Sequence, residues 1–171
     1  IRLLEMFGLP GLKNLNQYFK NIKQKEFKNL TLISKENISK IPYCPIIAGT
    51  SFLDQINSAN EQKEIKIENM GFPILLLPFL SRASEVIGKR IFLNIDDKDF
   101  LLNFNQSIYS NYFSGDILEK GRFIKIKFLE NINSFTEKDW QELYKLSENT
   151  FVEETEELKK SAAGAGLTDN D

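Results

Sequence analysis

The sequence predicts an α+β fold: a single domain with a small, mostly antiparallel sheet flanked by helices. Two observations lead there. Strict apolar–polar alternation marks strands in the middle of the chain, above all at 64–68 and 122–129. Helical and strand signals are also grouped, with helices first, then strands interrupted by one helix, then helices again.

Each element has a local cause. Ile1, Leu3, Leu4 and Phe7 sit at helical spacing, and Gly8-Leu-Pro-Gly11 ends that helix and opens the next. Leu12, Leu15, Tyr18, Phe19 and Ile22 form an apolar stripe predicting a second helix over 11–23. Residues 24–42 have no clean period and read as loop. Pro45 suits a first helical turn, and Ile46, Ile47, Phe52, Leu53 and Ile56 carry that helix to about Asn57. Residues 73–87 read as a buried helix with Pro78 near its start, or as a strand followed by a helix. A strand over 89–95 turns through Asp96-Asp-Lys-Asp99 into a second over 100–105. Thr136 caps a helix running to about Glu148, with Asp139 as its capping-box partner and Phe135 and Trp140 as a hydrophobic staple. Residues 153–160 read as a last short helix. The domain is expected to span 1–160, followed by a tail over 161–171.

Composition narrows the function classes. The chain has 171 residues, 42% of them hydrophobic, and a net charge of −2, so no basic field attracts nucleic acid or anionic lipid. The longest apolar run, Phe72 to Leu80, is far short of the roughly 20 residues a membrane helix needs, and the start has no secretory signal pattern. A lone Cys44 fits a reducing compartment, so the expected location is the cytoplasm. Histidine is absent, which removes Ser-His and Cys-His nucleophile pairs and histidine-based zinc sites. Any catalysis would run on carboxylates, Lys, Tyr or Cys44. A chain that starts at Ile1 within a helical pattern is expected to lack part of its natural N-terminus.

Gly8-Leu-Pro-Gly11, Cys44-Pro45-Ile-Ile-Ala-Gly49, Leu75-Leu-Leu-Pro-Phe-Leu80 and Gly164-Ala-Gly-Leu-Thr-Asp-Asn-Asp171 together resemble a bacterial family designated domain of unknown function 3726. The resemblance spans nearly the whole chain, with the tail its most specific element. It departs from the family pattern in the Lys- and Asn-rich residues 20–41. It implies a further helical segment ahead of Ile1, and no activity, substrate, cofactor or catalytic residue.

The tail is the first candidate binding segment. Gly164 and Gly166 would let the backbone approach a surface closely, and Thr168, Asp169, Asn170 and Asp171 offer hard oxygens suited to a divalent cation or a basic pocket. Against that stands ordinary terminal fraying, although the switch to Gly and Ala sets these residues apart from the Lys- and Asn-rich loop. Cys44 precedes Pro45 and so sits at a helix N-terminus, where a thiol pKa falls; a buried core cysteine is the plainer account. The remaining clusters have structural readings. Asp96, Asp97 and Asp99 suit a turn. Glu153, Glu154, Glu156 and Glu157 suit the acidic start of a helix. Leu75 to Leu80 suits a core helix, and Arg122, Lys125 and Lys127 a solvated strand face.

Two functions follow. The first is a non-catalytic subunit or small-molecule-binding module whose tail docks on its own body or a neighbouring copy or partner protein. The second is an enzyme whose acidic tail completes a carboxylate or divalent-cation site; a pocket lined by Asp169, Cys44 and Tyr43 would favour it. The first is preferred, with no nucleic acid or membrane partner and no resident metal.

Overall fold

Alternating side chains sort each strand onto two faces, and that sorting organises the structure, a computed structural model. It describes residues 1–22, 26–132, 134–148 and 150, in two compact units, Ile1–Asn131 and Ile132–Asp171. The first unit holds α1 (Arg2–Met6), α2 (Gly11–Ile22), β1 (Glu36–Asn37), α3 (Pro45–Asp54), α4 (Ile56–Glu61), β2 (Glu64–Gly71), a 3-10 turn (Pro73–Leu76), α5 (Leu77–Ile87), β3 (Arg90–Ile95), β4 (Lys98–Leu102), β5 (Ile108–Ser110) and β6 (Lys120–Leu129). The sheet order is β1-β2-β6-β3-β4-β5. Among the named strands of the described residues β1–β2 is the parallel pair and the other four pairings are antiparallel, so the fold is α+β with a mostly antiparallel sheet, as the sequence predicts.

Register explains the core. Ile65, Ile126, Leu93 and Phe100 stand side by side across β2, β6, β3 and β4, and all are fully buried. Helices α3 and α5 pack together, α5 also packs on β3 and β4, and Phe52 of α3 stacks on Phe128 of β6 with ring centroids 6.0 Å apart. Gly49 is a close-approach position, since a Cβ there would overlap the ring of Phe79. The apolar run 72–80 therefore fills the core, beginning as a 3-10 turn and continuing as α5. Gly88 closes α5 at φ 62°, the left-handed C-cap conformation that glycine adopts without a Cβ penalty.

Several expectations need correction. The buried face of α2 is Gly11, Asn14, Tyr18 and Asn21, while Leu12, Phe19 and Ile22 of the predicted stripe are exposed. The rotation is made possible by Asn14, whose amide donates to Pro10 O at 2.7 Å and accepts from Leu118 N at 3.2 Å, so its burial leaves no orphaned group. The 45–57 helix breaks at Gln55, whose side chain instead clamps the preceding loop, accepting from Ile33 N at 3.1 Å and donating to Thr31 O at 2.8 Å. Pairing with another strand defines Glu36–Asn37, which joins β2 some thirty residues on, and Ile108–Ser110, which folds back on β4 as a hairpin; neither carries a period of its own. The β3–β4 turn is only Asp96-Asp97, because Lys98 and Asp99 already pair with Ile95 and Asn94. Asp96 accepts from Phe123 N at 2.9 Å, so that cluster is structural. Alternation in β6 breaks at Arg122 and Phe123, which are both exposed between buried Gly121 and Ile124, and the backbone N–H groups of both donate to Asp96. Lys127 pairs with Glu64 at 3.2 Å.

In the second unit, α6 (Glu137–Glu148) has no buried residue. Its start follows the sequence: Thr136 N donates to Asp139 Oδ2 at 2.8 Å, and Asp139 N donates to Thr136 Oγ1 at 3.2 Å. The Phe135 and Trp140 rings lie 6.0 Å apart. Residues 151–171, including the expected last helix and the tail, lie outside the described residues.

Candidate ligand-binding site

The site lies at the end of β2, where two non-glycine residues adopt left-handed backbone, one an asparagine that tolerates it and one a phenylalanine that does not. Asn69 has φ 64°, and its amide donates to Ser39 O at 3.0 Å and Lys40 O at 2.7 Å. Phe72 has φ 46° and ψ 53°. A left-handed conformation costs an L-residue about 1–2 kcal/mol, and the residue before a proline, here Pro73, is further biased toward extended backbone. Surroundings that over-determine the geometry hold such strain in place. Phe72 N donates to Glu119 O at 2.9 Å, and its ring is buried.

Neighbouring segments are tied to this corner. Tyr43 N donates to Asn69 O at 2.7 Å, Gly71 N to Tyr43 O at 3.0 Å, and Cys44 N to Lys28 O at 2.9 Å. Residues 28 and 43 thus extend the sheet edge as isolated parallel bridges. Phe27 is thereby laid on Gly71 so closely that a Cβ at residue 71 would overlap its ring. The Asn14–Leu118 bond similarly fixes the chain leading to Glu119.

A cavity of about 350 Å³ opens among these segments. Phe27, Pro42, Gly71 and Phe72 give it apolar walls, and Asn21, Glu26, Glu119 and Lys120 add polar groups. Glu26, Glu119 and Lys120 are exposed, whereas Asn21 is buried. Apolar walls with a few polar groups are the usual make-up of a small-molecule site.

Behind the walls lies Tyr18. Its ring is 5.5 Å from Phe27 and meets Phe72 edge-on at 6.1 Å. Its hydroxyl and Cys44 Sγ are 3.1 Å apart. Burial first, then the hydrogen bond to Cys44, pushes the Tyr18 phenol well above its usual range. It therefore stays protonated at neutral pH, and the hydroxyl and the thiol share a hydrogen bond that either can donate. Cys44 is 4% exposed, at the N-cap of α3. It supports the cleft from behind and does not line it.

Gly164, Gly166, Thr168, Asp169, Asn170 and Asp171 lie outside the described residues. Among the described residues no group of three or more Cys, Asp or Glu is placed to hold a metal, and no helix is long and apolar enough to cross a membrane. The sequence reading passed over Phe27 and Gly71 and placed Phe72 only in an apolar run read as core. A glycine closing an alternating strand marks close backbone approach, and Gly71-Phe72-Pro73 carried that signal unused.

Residues 1–44 match the family model described as protein of unknown function (DUF3726). The matched stretch includes Gly8-Leu-Pro-Gly11 and ends at Cys44. It contains Tyr18, Asn21, Phe27 and Pro42, so it builds one side of the cleft. No curated protein and no solved structure matches the chain.

Proposed function

We propose that this chain is a non-catalytic module of the bacterial cytoplasm that binds a small, largely apolar molecule in the cleft at the end of β2. The left-handed Phe72 carries the reading. A bulky residue strained in front of proline at a cavity wall is the kind of outlier that marks a ligand clamp. Support comes from the apolar walls and from the family-matched segment forming one side. The sequence has no histidine, and the single thiol faces a tyrosine behind the wall.

Thermal melts with a panel of small aromatic and branched aliphatic acids, amines and amino acids test it. Some members should raise the melting temperature of the wild type and leave Asn21→Phe, which fills the cleft, unmoved. A panel without effect on the wild type would overturn the assignment. The same module is proposed to dock on a second copy or a partner protein through Gly164 to Asp171, supported by the tail's change of composition and its carboxylates. Ending the chain at Lys160 should then abolish self-association or partner capture; an unchanged assembly would remove the tail from the proposal.

A further inference from the structure

Resting on the cleft as a ligand site, we propose that its ligand is a free amino acid with an aromatic or branched apolar side chain. The walls choose the body of the ligand. Phe27, Pro42 and Phe72 reward the removal of apolar surface from water, and Gly71 leaves the wall flush. A cavity of about 350 Å³ sits at the low end of small-molecule sites, in keeping with one amino acid.

The polar groups choose the head. Two acidic residues, Glu26 and Glu119, and one basic residue, Lys120, stand among those that line the opening. None of the three forms an ion pair among the described residues. Groups of both signs around one opening suit a ligand that also carries both, its ammonium on the carboxylates and its carboxylate on Lys120. The Asn21 amide supplies donors and an acceptor and can serve either end. A phosphate ligand fits poorly. The N–H groups of Gly71 and Phe72 already donate to Tyr43 O and Glu119 O, so they cannot form an anion nest of the kind phosphates use.

Calorimetry on the full chain with L-phenylalanine, 2-phenylethylamine and 3-phenylpropionate separates the possibilities. L-Phenylalanine should bind about tenfold more tightly than either probe carrying one charge, since each end makes a charge-assisted hydrogen bond. Lys120→Gln should erase its advantage over 2-phenylethylamine, and Glu26→Gln with Glu119→Gln its advantage over 3-phenylpropionate. A singly charged probe binding as tightly as the amino acid, with its affinity lost in Asn21→Phe, would overturn the ligand class and leave the cleft standing. No binding by any probe, or binding indifferent to Asn21→Phe, would overturn this proposal, and the melts with the wider panel then decide the cleft itself. Nuclear Overhauser contacts from phenyl protons of L-phenylalanine to the Phe27 and Phe72 rings of the wild type give a readout that does not depend on any variant folding. Their absence at saturation would also overturn the placement.

Discussion

The start of α6 and the end of β2 are both short stretches of special backbone, and they are held in opposite ways. At α6, Thr136 and Asp139 satisfy each other three residues apart, and Phe135 and Trp140 pack across the same turn. At β2, Phe72 is kept left-handed by Glu119 O, and the neighbouring Gly71 is covered by Phe27 and tied to Tyr43. One is a local solution that a peptide could carry. The other exists because distant segments impose it, and the cleft is found there.

The sharpest way to break this comparison is at Phe72. Phe72→Ala removes a buried ring and should cost about 3–5 kcal/mol. At an ordinary position Phe→Gly would cost more still, because glycine loses more entropy on folding. Here the order should reverse: Phe72→Gly should be more stable than Phe72→Ala by about 1 kcal/mol, because only alanine pays the left-handed penalty. Denaturant midpoints of the two variants decide it, and the ordinary order would mean that the corner is unstrained.

Gly71→Ala comes next. The new methyl meets the Phe27 ring, and overpacking of this kind costs about 1–3 kcal/mol. Because the ring must move out of the cleft wall, ligand-induced stabilisation should fall together with stability. A double change, Gly71→Ala with Phe27→Ala, should recover part of the lost stability and none of the binding. Loss of stability with binding intact would show that Phe27 is packing only.

How much of this was legible follows the same division. Strands β2, β3 and β6, helix α5 and the α6 cap were readable because period and capping chemistry are written within a few residues. The buried face of α2 was misread because Asn14 and Asn21 look like surface residues. Asn14 is buried only because Leu118, over a hundred positions away, satisfies its amide. Strands β1 and β5 exist through their partners and have no pattern of their own. The cleft was not legible for the same reason. Phe27 sits in a stretch without period, and Phe72 reads as one more apolar residue in a core run. Cys44 drew attention through its helix N-terminus, but the fold gives that thiol to Tyr18.

Thr136→Ala is the smaller local counterpart. Losing an N-cap hydroxyl typically costs about 1 kcal/mol, and the loss should stay within α6, seen as faster amide exchange over residues 137–141. Strands β2 and β6 should keep their protection, since the cap bonds of Thr136 and Asp139 are made to each other; a global loss of protection would contradict the local character claimed for this turn.

Acid should act on the same turn in a defined direction. The Thr136 hydroxyl, and after it the Thr136 backbone N–H, hold the Asp139 carboxyl below its usual value. A carboxyl whose pKa is depressed by folding contributes stability that is fully present above its unfolded pKa, about 3.9, and is lost as pH falls through the lower folded value. Helix α6 should therefore start to loosen only below about pH 4. Following the Asp139 carboxyl carbon by NMR through an acid titration gives the midpoint directly. In Thr136→Ala it should move up toward the ordinary aspartate value, because the largest cause of the depression is gone. Asp139→Asn keeps an oxygen that can accept from Thr136 but no titrating group, so its first turn should lose the acid dependence while retaining part of the cap. If Asp139 titrates at the ordinary aspartate position in the unaltered chain, the reciprocal bonds are not populated in solution, and the contrast with the end of β2 loses its local half.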